Sequence, residues 1–397
     1  MPEQSEISYF GQTNARSDRR LFGIRQADRL SHVYAIGKTG VGKSTLLETL
    51  ALQDLHAQRG FALIDPHGDL VEGIAAQLGA EDAKRVIYLD APNADQPYGY
   101  NPLRRVRTDK IPLAVSGLLE TLKKMWPDAW GVRMEHVLRN SLYALLEQDD
   151  ARLPDILRLF SDKDFRAGVA RNVSNDTVRR FWKHEFENYP PRLRADACAP
   201  IQNKLGALLS DPMLYRVLVE PAIDLHFRSL MDDGGVLLVN LAKGRIGEEA
   251  ALILGSMIVS TLGLAAFSRA ESEAEMRKPF FVYLDEFHNF TTLMLANMMS
   301  ELRKYGVGLV LAHQYFHQLD ADIRHAVLGN AATLIAFRVG PEDACLLAQE
   351  FQPKFAVEDL VNLPNRQIYL KLMIDGTPSA PFSGTTIASS HLRASLP

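Results

Sequence analysis

The sequence predicts an α/β protein in which a doubly wound, mainly parallel sheet is interrupted by an inserted all-α domain. Two observations predict this fold. Short apolar runs typical of strands alternate with helical stretches on both sides of the middle of the chain. From Arg104 to Met231, in contrast, no strand pattern appears and apolar residues recur at helical spacing. We therefore predict one domain formed by residues 1–103 and 232–397, and an all-α domain inserted at residues 104–231.

The predicted strands are short runs rich in β-branched and apolar residues, as expected of strands buried on both faces. In chain order they are Val33–Ile36, Phe61–Asp65, Val86–Asp90, Val236–Leu241, Phe280–Asp285, Gly308–His313, Thr333–Arg338 and Gln367–Met373. Periodicity predicts helices between several of them, at Ser44–Gln58, Glu249–Arg269 and Leu293–Lys304. The tail Thr377–Pro397, which is rich in Ser, Thr, Pro and Ala, predicts a partly ordered coil.

The helices of the insert are predicted from two sets of apolar residues at helical spacing. These are Val137, Leu138, Leu142, Leu145 and Leu146, and then Ile201, Leu205, Leu208, Leu209, Met213 and Val217. The insert also contains Trp126, Trp130 and Trp182. Tryptophans often anchor interfaces, but a place in the core is the favoured interpretation here.

Composition excludes several classes of protein. A chain of 397 residues with 47% hydrophobic residues and a net charge of −4 has the balance of a globular protein, not of a disordered or collagen-like one. Its two cysteines, Cys198 and Cys345, allow at most one disulfide, which predicts a reducing, intracellular compartment.

One apolar segment has nearly the length of a membrane span. Ala250–Phe267 runs 18 residues without a charge. Its glycine, serine and threonine residues, and the predicted strands on either side, favour a buried helix. The polar start Met1–Glu6 predicts no signal peptide. We therefore expect a cytoplasmic protein without a direct membrane span, which a partner would recruit to the membrane.

The strongest motif is Gly37-Lys38-Thr39-Gly40-Val41-Gly42-Lys43-Ser44, a full match to G-x-x-x-x-G-K-[ST]. It follows a predicted strand and opens a predicted helix at Ser44-Thr45, so that backbone N–H groups and the helix dipole favour bound phosphate. We predict that residues Gly37 to Thr45 bind ATP. Lys43 should reach the β- and γ-phosphates, and the Ser44 hydroxyl should ligate Mg²⁺. The alternative is a glycine-rich turn without a ligand.

A second motif places two carboxylates at the end of the strand that begins at Phe280. We predict that Asp285 holds Mg²⁺ and that Glu286 activates the attacking water. An Asp-Glu pair after a strand is common by itself. Together with a phosphate loop in an α/β chain, it indicates nucleotide hydrolysis.

These motifs resemble the HerA/FtsK superfamily of ring-forming, DNA-pumping P-loop ATPases, and more closely the soluble core of the conjugative coupling proteins of type IV secretion (TraG/VirD type). The resemblance spans about Phe22 to Arg338. It is carried by Gly37–Ser44, Asp65–Asp69, Asn240–Glu248, Tyr283–Asn289, Leu302–Gly308 and Ala312–Gln314. It implies a RecA-like core, ATP and Mg²⁺ as cofactors, a homohexamer and DNA as cargo. The insert falls where coupling proteins carry an all-α domain.

The resemblance also implies roles for Gln314 and Arg303. Gln314 is similar to the polar sensor between the metal carboxylates and the γ-phosphate, a role that suits an amide; the alternative is a satisfied amide at a strand end. Arg303 resembles the arginine finger that reaches a neighbour's nucleotide. Lys304 and Arg338 are alternative donors, and a solvated cation at a helix C-terminus would also account for Arg303.

Two more segments have open interpretations. Asp65 ends the second predicted strand, where it either touches the water shell of the metal or starts a tight turn through Asp69. Lys243 and Arg245 follow a strand in a glycine-bounded loop, as either a pore or interface element or a solvated turn.

Two kinds of function fit these observations. The first is an ATP-hydrolysing ring motor that translocates or recruits DNA, as in conjugative DNA transfer, with a secretion-machine, relaxosome or nuclease partner. The second is a nucleotide-gated adaptor, or an ATPase acting on protein substrates of a secretion or DNA-processing machine. Membrane-anchored coupling proteins carry transmembrane helices before the ATPase core, whereas about thirty residues precede the phosphate loop here, so direct docking to a channel is less expected.

Overall fold

The computed structural model describes residues 6–14, 19–291 and 293–390, which divide into two compact units. The first unit comprises the described residues of Met1–Asp90, Phe227–Ala242 and Ala265–Pro397. The second comprises Ala91–His226 and Lys243–Leu264. The second unit thus begins before the insert predicted at 104–231 and takes in a further segment.

The bounds of the strands and helices follow in chain order. The strands are β1 (Ile7–Thr13), β2 (Leu21–Arg25), β3 (Val33–Ile36), β4 (Gly60–Asp65), β5 (Val86–Asp90), β6 (Tyr98–Gly99), β7 (Ile223–Asp224), β8 (Val236–Asn240), β9 (Phe280–Leu284), β10 (Val307–His313), β11 (Thr333–Ala336), β12 (Gln367–Lys371), β13 (Met373–Ile374), β14 (Thr377–Pro378) and β15 (Phe382–Thr386). The helices are α1 (Gln26–Arg29), α2 (Lys43–His56), α3 (Asp69–Ala75), α4 (Ile111–Met125), α5 (Val132–Leu145), α6 (Leu153–Ser161), α7 (Lys163–Asn172), α8 (Asp176–Arg180), α9 (Pro191–Ser210), α10 (Pro212–Leu218), α11 (Phe227–Asp233), α12 (Lys243–Ile246), α13 (Glu248–Ser268), α14 (Leu293–Leu302), α15 (Ala321–Asn330), α16 (Pro341–Phe351) and α17 (Val357–Val361).

One large sheet organises the first unit. Within the described residues it has eleven strands, in the order β2-β1-β15-β12-β11-β3-β10-β9-β4-β8-β5. The seven strands from β11 to β5 run parallel. Every residue of β3, β4, β8, β9 and β10 is buried, as their continuous apolar sequences predict. The predicted mainly parallel α/β fold is therefore confirmed.

The register of the parallel strands brings the predicted site residues to one edge of the sheet. His313 of β10 pairs with Ile36 of β3, and Leu284 of β9 pairs with Leu311 of β10 and Ile64 of β4. The carboxyl ends of these four neighbouring strands consequently lie side by side. The loops that follow them contain the phosphate loop and the carboxylates, at the edge where open α/β sheets bind ligands.

The other side of the sheet is antiparallel and corrects one prediction. Strand β15 pairs with both β12 and β1, so the partly ordered coil predicted from Thr377 is wrong for residues 382–386. Phe382 of β15 packs edge-on against Phe22 of β2, with ring centroids 5.1 Å apart. Burial alternates along β15, so its sequence lacks the continuous apolar run from which strands were predicted. Residues 391–397 of the predicted coil lie outside the described residues.

The second unit is mainly helical. The two-residue strands β6 and β7 also pair within it, in parallel. Trp126 and Trp182 are buried, and the Trp182 ring packs against Phe181 and Phe186. Two of the three tryptophans are therefore core residues, as favoured from the sequence. The third, Trp130, is half-buried, and its indole N–H donates to Glu135.

Helix α13 contains the apolar segment singled out in the sequence. Among the described residues, the helical stretch Glu248–Glu271 is long and apolar enough to cross a membrane by length and composition. Of its most apolar window, 72% is buried inside the protein. Burial of this kind is typical of a core helix, as the flanking strands predicted.

Candidate active site

The phosphate loop joins β3 to α2 in the conformation that its glycines permit. Gly42 has a φ of +119°, and α2 begins at the next residue. A Cβ atom on Gly37 would lie 2.5 Å from the Cβ of Phe337, so only glycine fits there. Backbone bonds hold the start of the loop, because Gly37 N donates to His313 O at 3.3 Å and Lys38 N donates to Arg338 O at 2.9 Å. The loop is thus tied to the last residue of β10 and to the segment that follows β11.

Lys43 lies under the loop, with its side chain largely buried. Its ammonium group donates to the carbonyl oxygens of Gly37 at 2.6 Å and Lys38 at 3.1 Å. Burial lowers the pKa of Lys43, while the nearby Glu286 and Asp285 act in the opposite direction. These two carbonyl groups hold the ammonium group at the loop, where it could exchange its bonds to them for bonds to a phosphate.

Ser44 and Asp285 come together across the gap between α2 and β9. The Ser44 hydroxyl donates to Oδ2 of Asp285 at 3.1 Å. Burial, together with the charges of Asp65 and Glu286, raises the pKa of Asp285 to about 6. Three carboxylates therefore crowd one buried region. A hydroxyl beside such a cluster is a donor set that suits Mg²⁺, whose charge would relieve the repulsion.

Glu286 is held in an unusual backbone conformation. Its φ of 45° and ψ of 50° are left-handed, which is uncommon for a residue other than glycine. Its N–H donates to Oδ1 of Asp285 at 3.0 Å, and its Oε1 accepts from Gln314 at 2.7 Å. Its other oxygen, Oε2, lies 3.4 Å from Nδ1 of His288. Such strained residues cluster at functional sites, where the surrounding bonds hold them in place.

Gln314 connects the two motifs. Its Nε2 donates to Glu286, and its Oε1 accepts the hydroxyl of Thr39 at 3.0 Å. The side chain thus reaches from the phosphate loop to the carboxylate after β9. The sequence left two interpretations of Gln314 open, a polar sensor and a satisfied amide at a strand end. The amide does have two partners, Thr39 and Glu286, and both are site residues.

Asp65 starts a tight turn, one of the two interpretations left open above. Its Oδ1 accepts from the N–H of His67, and its Oδ2 accepts from those of Leu70 and Val71, at distances of 2.8 to 3.2 Å. The carboxylate therefore caps the start of α3. It still lines the same cavity as Asp285, and its charge helps to raise the pKa of Asp285.

These residues surround a cavity of about 680 Å³ in the first unit. Its lining comprises Thr39, Gly40, Gly42, Lys43, Ser44, Thr45, Glu48, Asp65, His67, Asp69, Leu70, Gly73, Asp285, Glu286, Gln314, Asn365 and Arg366. Val41 is buried beneath the loop, and the exposed Lys38 contributes its backbone. Sequence reasoning missed Asn365 and Arg366, because no motif marks the segment before β12.

The three candidate finger residues lie at two opposite edges of the sheet. Arg303 is exposed four residues before β10, and Lys304 beside it lies 4.0 Å from Glu301. Since β10 is about 20 Å long, both residues lie at the edge of the sheet away from the cavity. Arg338 follows β11 at the carboxyl edge of the sheet, where its guanidinium donates to the cavity residue Asn365 at 2.8 Å and to the carbonyl of Leu363 at 3.4 Å.

Lys243 and Arg245 belong to the second unit. They lie on the short helix α12, half-buried and exposed respectively, and not in the open loop expected from the sequence. Both interpretations of the pair, as a pore or interface element and as a solvated turn, stay open.

Comparison with known proteins agrees with this geometry. Residues 279–348, which include Asp285, Glu286, Arg303 and Gln314, match the family model described as the TraM recognition site of TraD and TraG. No curated protein matches the chain.

Solved structures resemble the chain over most of its length. The bacterial conjugative coupling protein TrwBdeltaN70 has a TM-score of 0.64 at 17% identity, covering 95% of this chain and 88% of that one. VirB4 of Thermoanaerobacter pseudethanolicus has a TM-score of 0.66 at 14% identity, covering 96% of both chains. The plasmid coupling protein TrwB in complex with ADP and Mg²⁺ has a TM-score of 0.63 at 17% identity, covering 92% and 87%. The resemblance predicted from the sequence is thus confirmed: the chain has the fold of the P-loop ATPases of the conjugative coupling-protein type.

Proposed function

We propose that this chain is an ATP-hydrolysing ring motor that translocates or recruits DNA, as in conjugative DNA transfer. One observation carries the proposal. The phosphate loop, the Ser44–Asp285 pair and the Gln314–Glu286 pair converge on a single cavity. The loop supplies a phosphate cradle, the first pair a metal position and the second an oriented water, which are the parts that phosphoryl transfer to water requires.

The roles within the cavity follow from the chemistry of the side chains. Lys43 exchanges its bonds to the loop carbonyls for bonds to the β- and γ-phosphates. Ser44 and Asp285 would hold Mg²⁺, which would neutralise part of the phosphate charge. Glu286 orients the attacking water and accepts its proton, and Gln314 holds Glu286 in register with the loop.

The position of Arg303 supports the proposal of a ring. This guanidinium is too far from its own cavity to stabilise charge there, because a full strand length separates them. In a closed ring, the edge of one subunit can face the cavity of the next. Arg303 then acts in trans on the transferring phosphoryl group, with Lys304 as the alternative donor at the same edge. Arg338, bonded to Asn365, is the candidate that acts within its own chain.

The cargo is proposed from what the relatives are. TrwB is described as a conjugative coupling protein, and the family model as a TraM recognition site. From these names we propose DNA as cargo and a relaxosome-type partner. The proposal also takes the protein to be cytoplasmic and brought to the membrane by its partners. The net charge of −4 does not oppose DNA binding, because a channel needs only local rings of basic side chains along the phosphate backbone. An adaptor anchored by tryptophans has less support, since Trp126 and Trp182 are buried.

The test is the ATPase rate measured against protein concentration, with and without single- and double-stranded DNA, using Glu286→Gln as the blank. A ring motor gives a rate that rises cooperatively with concentration and again with DNA, and the DNA response falls steeply with salt. A rate that ignores both concentration and DNA contradicts the motor. A rate that responds to concentration and to a secreted protein, but not to DNA, favours the ATPase with protein substrates.

A further inference from the structure

Arg366 stands out among the residues of the cavity because of its charge. Five carboxylates line the cavity, those of Glu48, Asp65, Asp69, Asp285 and Glu286. Against them stand two Lys or Arg side chains, those of Lys43 and Arg366. A nucleotide polyphosphate brings still more negative charge into this space. Every cation that lines it therefore bears on affinity.

The backbone of Arg366 is fixed against the phosphate loop in a strained conformation. Its φ of 66° is left-handed. Its N–H donates to the carbonyl of Val41 at 2.9 Å, and its own carbonyl accepts from the backbone N–H and the hydroxyl of Thr386 at 2.8 and 3.2 Å. The strained residue is thus held between the loop and β15. In a turn without a function, glycine or asparagine would adopt this conformation with less strain.

The side chain of Arg366 begins beside the first turn of α2. A Cβ atom built on Gly42 would lie 3.7 Å from Cγ of Arg366, so the arginine stem passes next to the residue that caps the helix. The backbone N–H groups at this helix start form the anion-binding end of the loop. The stem therefore starts where the phosphates of a nucleotide would lie.

The guanidinium of Arg366 differs from that of its neighbour Arg338. Arg338 donates to Asn365 and to the carbonyl of Leu363, so its hydrogen-bonding capacity is partly used. Arg366 is an exposed residue, and its guanidinium makes no hydrogen bond or ion pair to any residue that the structure describes. A planar fork with unused donors at the wall of an acidic cavity suits a phosphate, which it can bind through two parallel bonds.

We propose that Arg366 binds the phosphates of the nucleotide within its own chain, as a second cation besides Lys43. The inference rests on the proposed nucleotide-binding function. It assigns Arg366 to groups that ADP and ATP share, in contrast to Arg303, whose role requires the transferring phosphoryl group and a neighbouring subunit. The contact also links bound nucleotide to β15, through the bonds between Arg366 and Thr386.

The test compares Arg366→Gly, Arg366→Asn and Arg366→Lys with the wild-type full chain. Glycine and asparagine suit the left-handed backbone, so these variants remove the guanidinium without adding strain. Asp375→Gly is the matched control, because Asp375 is exposed and has a φ of 50° but does not line the cavity. Binding of ADP, ATP and inorganic tripolyphosphate is measured by calorimetry, and the melting temperature is measured without ligand.

We expect Arg366→Gly and Arg366→Asn to raise the Kd for all three ligands about tenfold, with an unchanged or higher melting temperature. The Kd values of Arg366→Lys should lie between those of the wild type and the glycine variant, and Asp375→Gly should bind the ligands as the wild type does. Wild-type affinity in the glycine and asparagine variants overturns the inference, and so does a loss seen with ADP but not with tripolyphosphate. Failure of the wild-type chain itself to bind ADP or ATP is a different outcome, since it contradicts the proposed function.

Discussion

The side-chain amide of Gln314 donates to Oε1 of Glu286 at 2.7 Å while accepting the hydroxyl of Thr39 at 3.0 Å. One amide therefore sets the distance between the loop that would bind phosphate and the carboxylate that would orient water. Arrival of a γ-phosphate near Thr39 would compete for this amide. Gln314 is thus placed to report the state of the nucleotide to Glu286, which a residue bonded to only one of the two would not do.

Replacing Gln314 should therefore damage turnover more than binding. We expect Gln314→Ala to lower kcat on the order of 100-fold, because Glu286 loses the donor that orients it, while the Kd for ATP changes little. Steady-state ATPase assays and nucleotide titration separate the two quantities. Gln148→Ala, which removes an amide from the second unit, is the control. Equal losses in kcat and in affinity would show that Gln314 serves binding instead.

The raised pKa of Asp285 predicts how stability depends on pH without Mg²⁺. Burial and the neighbouring carboxylates raise this pKa to about 6, so the folded chain holds a proton there that the unfolded chain has already released. The contribution of Asp285 to the free energy of unfolding is therefore largest below about pH 4, and it falls as the pH rises through about 6.

Melting temperatures from pH 4 to pH 8 check this dependence. In Asp285→Asn, stability should decline less as the pH rises, and the free energy of unfolding at pH 8 should be higher by on the order of 2 kcal/mol, since the repelling charge is gone. Mg²⁺ should stabilise the wild type at pH 8 but have little effect on the variant. The assignment fails if Asp285→Asn and the wild type lose stability in parallel over this range.

A buried ion pair ties the helix that follows the phosphate loop to the strand that precedes Asp285. Arg29 donates to both carboxylate oxygens of Asp54 in α2, at 2.7 and 2.8 Å, and also to the hydroxyl of Tyr283 in β9. Both charged side chains are fully buried, and the guanidinium lies 3.8 Å from the centre of the Phe281 ring. Arg59 also pairs with Asp54, at 3.0 Å, so it is removal of Asp54 that leaves the fully buried Arg29 guanidinium without its counterion.

We expect Asp54→Ala to destabilise the protein by about 3–5 kcal/mol, and Tyr283→Phe by about 1 kcal/mol. The double variant Arg29→Met/Asp54→Leu should lose less stability than Asp54→Ala, because it removes the fully buried Arg29 charge together with its counterion. Denaturant unfolding followed by circular dichroism measures these differences. Arg29→Met and Asp54→Leu are also measured singly. If the double variant loses as much stability as the sum of these two single variants, the residues act independently.

Sequence reasoning succeeded where a local pattern determines the structure. The parallel strands were predicted because continuous apolar runs such as Phe280–Leu284 have few other interpretations. The approach of Gln314 to Glu286 was implied by the family resemblance, which places a polar sensor between the metal carboxylates and the γ-phosphate. Strand β15 was missed because its burial alternates and one of its two partners, β1, lies far away in the chain. Arg366 was missed because bonds to Val41 and Thr386, which are distant in the chain or in another strand, bring it to the cavity, and no local pattern indicates them.

The position of Arg303 predicts that two inactive variants should complement each other. Glu286→Gln retains the finger and the phosphate loop but lacks the group that orients water, and Arg303→Ala retains a complete cavity but lacks the finger. In a mixed ring, the cavity of an Arg303→Ala subunit can face the finger of a Glu286→Gln subunit. An equal mixture with random assembly should regain about a quarter of the wild-type rate, because about one interface in four has this arrangement.

The rate is measured on the mixture after co-assembly, beside each variant alone. The control replaces the second variant with the double variant Glu286→Gln/Arg303→Ala, which should not rescue since no interface then joins an intact cavity to a finger. Repeating the mixture with Lys304→Ala in place of Arg303→Ala decides between the two cations at this edge, because only the variant that lacks the finger will be inactive alone and rescued in the mixture. Mixed rings that form without any recovered activity would contradict a finger supplied in trans. They would move the assignment to Arg338, whose guanidinium donates to Asn365, a residue that lines the cavity of the same chain.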